Sequence, residues 1–249
     1  MTHGRPSDRR ALGARRSLIE KADRREGRRY AEPMTPDPSD TTAVRVQAAL
    51  DRLVGLVPGD PLLRAPATER DLAVAEAHLG HRLPEDVRAL YLLHDGQHPY
   101  SAQDPRFAAG LVVGQPFLPL TDVLAQWDQW DGFEAQEDMD EFASSTPQGF
   151  VQPKYAVRGW IPLTHDGGGN HVGVDLDPAA AGTVGQVITF GRDDDEHQVI
   201  APSLLSYLEQ AADLVAAGTI VPSDEQDEPG WAITGTLSTV FDATAERTG

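Results

Sequence analysis

Residues 160–178, WIPLTHDGGGNHVGVDLDP, gather two histidines, three aspartates and three consecutive glycines into nineteen positions. Strand alternation through residues 171–177 sends Val172, Val174 and Leu176 to one face, and His171, Gly173, Asp175 and Asp177 to the other. With the apolar face committed to a core, two carboxylates two residues apart remain on one side, as a hard-cation site or a pair of catalytic acids requires. The same residues have a simpler reading. Asp177 before Pro178 is ordinary turn chemistry, and Asp175 can accept backbone amides from a neighbouring loop.

Known motifs do not match this stretch. A phosphate-cradling loop needs Lys-Ser/Thr after its glycines, and a dinucleotide loop needs a third glycine where Val172 stands. A calcium loop needs alternating oxygen ligands closed by a glutamate at the twelfth position. His165 and His171 lie six apart without the HExxH spacing of a zinc helix. No GxSxG elbow occurs, and the chain has no cysteine, which removes thiol nucleophiles, disulfides and iron–sulfur clusters. A metal-dependent hydrolase using Asp166, Asp175, Asp177 and His171 is the catalytic rival among the readings. His94 and Asp95, at a helix end, could form a base and its orienter, or a cap and a packing residue.

The elements that must position these groups show as hydrophobic periodicity. Val46, Leu50, Leu53 and Val57 mark a helix over 41–57, ended by Pro58 and Gly59. Thr68 and Asp71 form a capping box for a second helix that buries Leu72, Ala75 and Leu79 before Gly80. A third opens with Pro84 at its first position, shows Val87, Leu90, Tyr91 and His94 on one face, and stops at Gly96. Residues 110–120 read as a strand with a bend, followed by a helix capped by Thr121 that brings Trp127 and Trp130 to one face. The acidic run from Asp128 to Glu141 holds no Lys or Arg and reads as a solvated face or loop. Residues 160–191 form an antiparallel meander, a short strand follows near residue 198, and Ser203 caps a last helix burying Leu204, Leu208, Ala211 and Val215.

The chain has 249 residues, 40% of them hydrophobic, and a formal charge of −18. Residues 1–33 hold ten Lys/Arg against five Asp/Glu, so the remainder carries −23. That division predicts a basic extension over 1–40, one folded domain over 41–220, and an acidic linker and tail over 221–249. An acidic surface repels nucleic acid and anionic membranes and attracts basic proteins. Neither a bilayer-length apolar run nor a signal-type apolar segment after the basic start is present, which makes a cytoplasmic location the expectation.

Two stretches, ERDLAVAEAHLGHRLPEDVRALYLLHDGQ and GWIPLTHDGGGNHVGVDLDPAAAGTVGQVITFGRDDDEHQVIAPSLLSYLEQ, resemble the SMI1/KNR4 family, also called the SUKH superfamily. Pro84, Gly96, Trp160, Gly168 and Asp175 are among the positions that carry the resemblance. It implies an α+β fold with a central antiparallel sheet flanked by helices, no catalytic residues, and a role in binding other proteins. Bacterial members resemble immunity proteins that neutralise nuclease or deaminase toxins, and fungal ones are scaffolds in cell-wall regulation. The expectation drawn is an immunity protein whose acidic surface meets a basic toxin domain, without metal or cofactor; a regulatory scaffold with a peptide ligand is the alternative. Candidate partner-binding residues are Trp127, Trp130, Glu137, Asp138, Asp140 and Glu141, helped by Asp193, Asp194 and Asp195.

Overall fold

A computed structural model describes residues 41–56, 61–98, 110–111, 115–134, 137–222 and 231–233. The basic extension over 1–40 and most of the acidic tail lie outside the described residues.

Most helices of the domain are fastened at their start by a side chain, though not always by a local one. In α1 (Thr42–Val54), Thr41 accepts from Val44 N, and Val46, Ala49, Leu50 and Leu53 are buried. In α2 (Glu69–Leu79), Asp71 N donates to Thr68 Oγ1 at 3.2 Å, and Thr68 N donates back to Asp71 Oδ2 at 2.9 Å. In α3 (Glu85–Leu93), Pro84 stands at the cap position, one residue earlier than its sequence placement. Buried Asp86 accepts from Leu205 N at 2.9 Å, which ties α3 to the start of α5 (Leu204–Ala216), itself capped by Ser203.

Thr121 does not cap α4 (Leu120–Asp131): the helix begins one residue before it, after Pro119, with no local side-chain cap. The missing acceptor comes from across the fold, where Asp95 Oδ1 accepts from Leu120 N at 2.9 Å. Gly96 allows that approach. Its φ is +76°, and a Cβ there would sit 2.3 Å from Pro119 N. The strand expected over 110–120 is also corrected: among the described residues this stretch contributes a bridge, Phe117 to Thr164, because Gln97 Oε1 takes the amides of Leu111 and Phe117.

The fold is α+β. The expected meander is present as β2 (Trp160–Pro162), β3 (Asn170–Asp175) and β4 (Gln186–Gly191), followed by β5 (Glu196–Ala201). The sheet is mixed rather than wholly antiparallel, because β1 (Ser144–Thr146) pairs with β5 in parallel; the order is β1-β5-β4-β3-β2. A separate antiparallel pair joins β6 (Ile220–Pro222) to β7 (Trp231–Ile233).

The helices cover one face, where Ile161, Val172, Val174, Val187 and Ile200 join the main core. The opposite face is covered too, by a second cluster of Val151, Val157, Trp160, Ile188 and Phe190. This corrects the alternation reading of β3. Residues 171–175 are all buried, so His171, Gly173 and Asp175 look into protein instead of water. Gly173 is required there: a Cβ would lie 2.2 Å from Ile161 O and 2.8 Å from the Phe190 ring.

Candidate functional site

The glycine turn closes on its own aspartate. Asp166 Oδ1 accepts from Gly168 N, Gly169 N and Asn170 N at 2.7, 2.9 and 2.9 Å, and Oδ2 accepts from Asn170 Nδ2 at 2.7 Å. Burial alone raises this carboxyl, but the hydrogen bonds from Asn170, Gly168 and Gly169 outweigh it and hold the pKa below the usual aspartate value. Amides that would otherwise cradle an external anion are therefore occupied. Gly167 and Gly169 adopt φ of +86° and +106°, which gives the run of glycines a conformational reason. Asn170 extends the turn to the β4–β5 connection, with Asp193 N donating to its Oδ1 at 2.9 Å.

His171 is a neutral structural histidine. Thr164 O can only accept, so Nδ1–H donates to it at 2.7 Å, and Nε2 is left to accept the Trp130 indole N–H at 2.9 Å. Burial pushes its pKa down to about 4, against a smaller raising effect of the Thr164 bond. His165, whose ring centroid lies 5.1 Å away, accepts from Gly167 N at 3.3 Å. With both nitrogens of His171 engaged, a metal ion can reach it only by breaking one of these bonds. No group of three or more His, Cys, Asp or Glu suited to a metal occurs among the described residues.

The two strand carboxylates part company as well. Asp175 is fully buried; its oxygens accept from Asp177 N and from Gln186 Nε2, its cross-strand neighbour, each at 3.0 Å. Burial raises its pKa to about 6. Asp177 is exposed beyond the strand end. The pair therefore presents no shared face to a substrate, and the hydrolase reading loses its geometry. His94 and Asp95 are likewise structural: His94 Nδ1–H donates to Arg64 O at 2.9 Å, while Asp95 caps α4 and lies 3.7 Å from Arg64.

The two tryptophans have separate environments. Trp127 is only 4% exposed; its Nε1–H donates to Arg158 O at 2.9 Å, and the Arg158 guanidinium stands 5.0 Å from its ring centroid. It is a core residue. Trp130 is partly exposed and joins Phe133 and Tyr155 in a contiguous aromatic wall, with ring centroids 5.8 Å, 5.5 Å and 5.8 Å apart. That wall lines a cavity of roughly 330 Å³ opposite Gly167, Gly168, Gly169 and Arg192. A second cavity of roughly 560 Å³, lined by Phe117, Pro119, Asp122 and Ala125, shares Gln126, His165 and Gly167 with the first. Together they form a groove along α4.

Much of the acidic run is tied to the fold. Asp128 pairs with His78 at 2.7 Å, Asp131 with Arg158 at 2.7 Å, and Glu134 and Asp140 accept the amides of Arg158 and Tyr155 at 3.0 and 2.7 Å. Glu137, Asp138, Asp140 and Glu141 lie on a 3-10 turn, Glu137–Phe142, and Glu141 is exposed. Asp193 borders the glycine turn through Asn170. Asp194 faces Thr189 and His197, with burial raising its pKa, and Asp195 O accepts Ser144 N at 2.8 Å. The sequence reading missed Phe133, Tyr155, Gln126, Gln129 and Arg192. Gln126 carries a local signal, lying four residues from Trp130 on one helical face; Phe133 follows in the turn after the helix, and Tyr155 and Arg192 reach the wall only through the tertiary fold.

Known proteins similar to this chain include fungal regulators. It is 31% identical to the "Cell wall assembly regulator SMI1" of Saccharomyces cerevisiae over 196 residues, covering 67% of this chain and 38% of that protein. It is 28% identical to the "Glucan synthesis regulatory protein" of Neurospora crassa over 194 residues, covering 65% and 36%. It is 34% identical to the "Cell wall biosynthesis/cell cycle regulator smi1" of Schizosaccharomyces pombe over 153 residues, covering 57% and 29%. The chain thus spans roughly a third of the length of these relatives. These matches correct the expectation of a toxin-neutralising immunity protein, since the relatives are named as regulators of cell-wall and glucan synthesis. No helix among the described residues is long and apolar enough to cross a membrane. The model of the "SMI1 / KNR4 family (SUKH-1)" matches residues 66–210, more than half of the chain, and the chain therefore belongs to that family.

Proposed function

We propose that this domain is a non-catalytic protein-binding module in a regulatory scaffold of the cell-wall type. The observation that carries the reading is a division of labour around the glycine turn. Asp166, His171 and Asp175 spend their hydrogen-bonding capacity on the fold itself, while Trp130, Phe133 and Tyr155 offer a partly exposed aromatic wall beside an open groove. An exposed aromatic contact surface beside carboxylates and a histidine committed to the fold suits recognition rather than turnover. The names of the fungal relatives support the regulatory setting.

The test is genetic and biochemical together. Deletion in the producing organism is expected to change its sensitivity to cell-wall-perturbing agents, and the tagged full chain to retain a defined protein partner at stoichiometric level. A deletion strain with an unchanged wall, together with no retained partner, overturns the reading.

A further inference from the structure

Resting on the protein-binding reading, we propose that the groove between α4 and the glycine turn seats an extended, net-basic segment of a partner protein, about five residues long, with one apolar side chain against Trp130, Phe133 and Tyr155. Four features of the groove select that occupant.

The aromatic wall comes first. Its ring centroids lie 5.5 to 5.8 Å apart, so the rings touch one another and leave no gap for an ammonium group between them. It is a surface for an apolar side chain, and Phe133 is 38% exposed on it. The Trp130 N–H points inward to His171, so the indole offers its ring and not its donor.

Second, Gln126 and Gln129 stand one turn apart on the helical side of the groove. The Gln129 side chain bonds to Ala125 O, at 3.2 Å, and the Gln126 side chain makes no hydrogen bond among the described residues. Each primary amide carries both donors and an acceptor, which matches the alternating N–H and C=O groups of an extended backbone. A helical segment would have consumed those groups internally.

Length follows from the helix. From Asp122 to Trp130, both groove-lining, the helical rise of about 1.5 Å per residue gives roughly 12 Å, and Phe133, in the turn after the helix, lengthens the trench to room for about five residues at about 3.3 Å each.

Charge is the fourth feature. Asp122 and Asp166 line the groove, Asp193 adjoins the turn through Asn170, and Glu134 follows Phe133, against Arg192 as the one Lys or Arg lining it among the described residues. Asp166 remains ionised because its turn holds it so. Beyond residue 33 the whole chain carries −23. A basic segment is steered in, and an acidic one is repelled.

The experiment is a selection of fully randomised seven-residue peptides on the full chain, followed by affinity measurement of the enriched peptides with capped ends. The expected result is enrichment of sequences with net positive charge around one apolar position. Joint Gln126→Arg and Gln129→Arg substitution is then expected to weaken them at least tenfold with the melting temperature unchanged, and Phe133→Ala to weaken them several-fold. Enrichment of acidic or uncharged peptides overturns the proposal, as does equal binding to the double-arginine variant. If the full chain retains a protein partner whose binding ignores these substitutions, the groove assignment fails while the protein-binding reading stands.

Discussion

The indole N–H of Trp130 donates to Nε2 of His171 across 2.9 Å, joining the helix that walls the groove to the strand that follows the glycine turn. The bond exists only while His171 is neutral, because a proton on Nε2 would face another donor. Trp130→Phe keeps the ring and leaves Nε2 buried without a donor, which is expected to cost about 1–2 kcal/mol in urea unfolding. The same variant is expected to move the His171 pKa upward from about 4 while burial still holds it below 6.5, read by NMR titration. An unchanged titration contradicts the assigned tautomer.

His171 and Asp175 act oppositely on stability across mildly acid pH. The unfolded chain protonates His171 near 6.5 and the folded one near 4, so this group lowers stability as pH falls through that window. Asp175 titrates near 6 when folded against 3.8 unfolded, so between those values the folded state holds the extra proton and stability rises as pH falls. Between about 4 and 6 the two contributions cancel. Asp175→Asn removes one of them, and its stability is expected to decline with falling pH more steeply than the wild type's, by up to about 1.4 kcal/mol per pH unit. Parallel wild-type and variant curves over that window would contradict the assignment.

Gly173→Ala tests the close packing of the sheet. The added Cβ meets Ile161 O at 2.2 Å, backbone that cannot swing aside, and a loss of about 2–3 kcal/mol or more is expected. Gly168→Ala is the contrasting change: its φ is not positive and its nearest neighbour is an Asp166 oxygen at 3.4 Å, so the expected loss is below about 1 kcal/mol. Thermal denaturation of the pair, side by side, separates the two positions.

Asp95→Ala removes the acceptor that Leu120 N uses at the start of α4. The expected cost is about 1 kcal/mol, the usual value of a helix cap, with hydrogen exchange accelerating first at Leu120 and its neighbours. A variant as stable as the wild type would show that water replaces the carboxylate there.

Periodicity carried the helices and the meander, because both depend on which local face is apolar; α2, with Thr68, Asp71, Leu72, Ala75 and Leu79, follows its sequence pattern residue by residue. Where an element is decided by a distant partner, the local pattern misleads. Thr121 has a capping residue's chemistry, yet the cap of α4 is Asp95, 25 positions before Leu120. β1 has no strand signature and forms because β5 supplies its hydrogen bonds. Alternation in β3 predicts one wet face, but the segment carrying Val151 and Val157 covers it, and Asp175 becomes a buried strut. The groove was half legible: Trp130, marked by its spacing on the helix, lines it, whereas Trp127 belongs to the core and Tyr155 reaches the wall only through the fold.

The most direct test of the central claim, that a partner protein binds at the groove, is site-specific photo-cross-linking in the producing organism with p-benzoylphenylalanine at position 133. Phe133 lines the groove at 38% exposure, and Phe142, 71% exposed and not among the groove-lining residues, is the control position. One dominant protein adduct is expected from position 133, lost when Gln126 and Gln129 are replaced by arginine, and none of that adduct from position 142. The same adduct from both positions, or an adduct at 133 that survives the arginine substitutions, would contradict that claim.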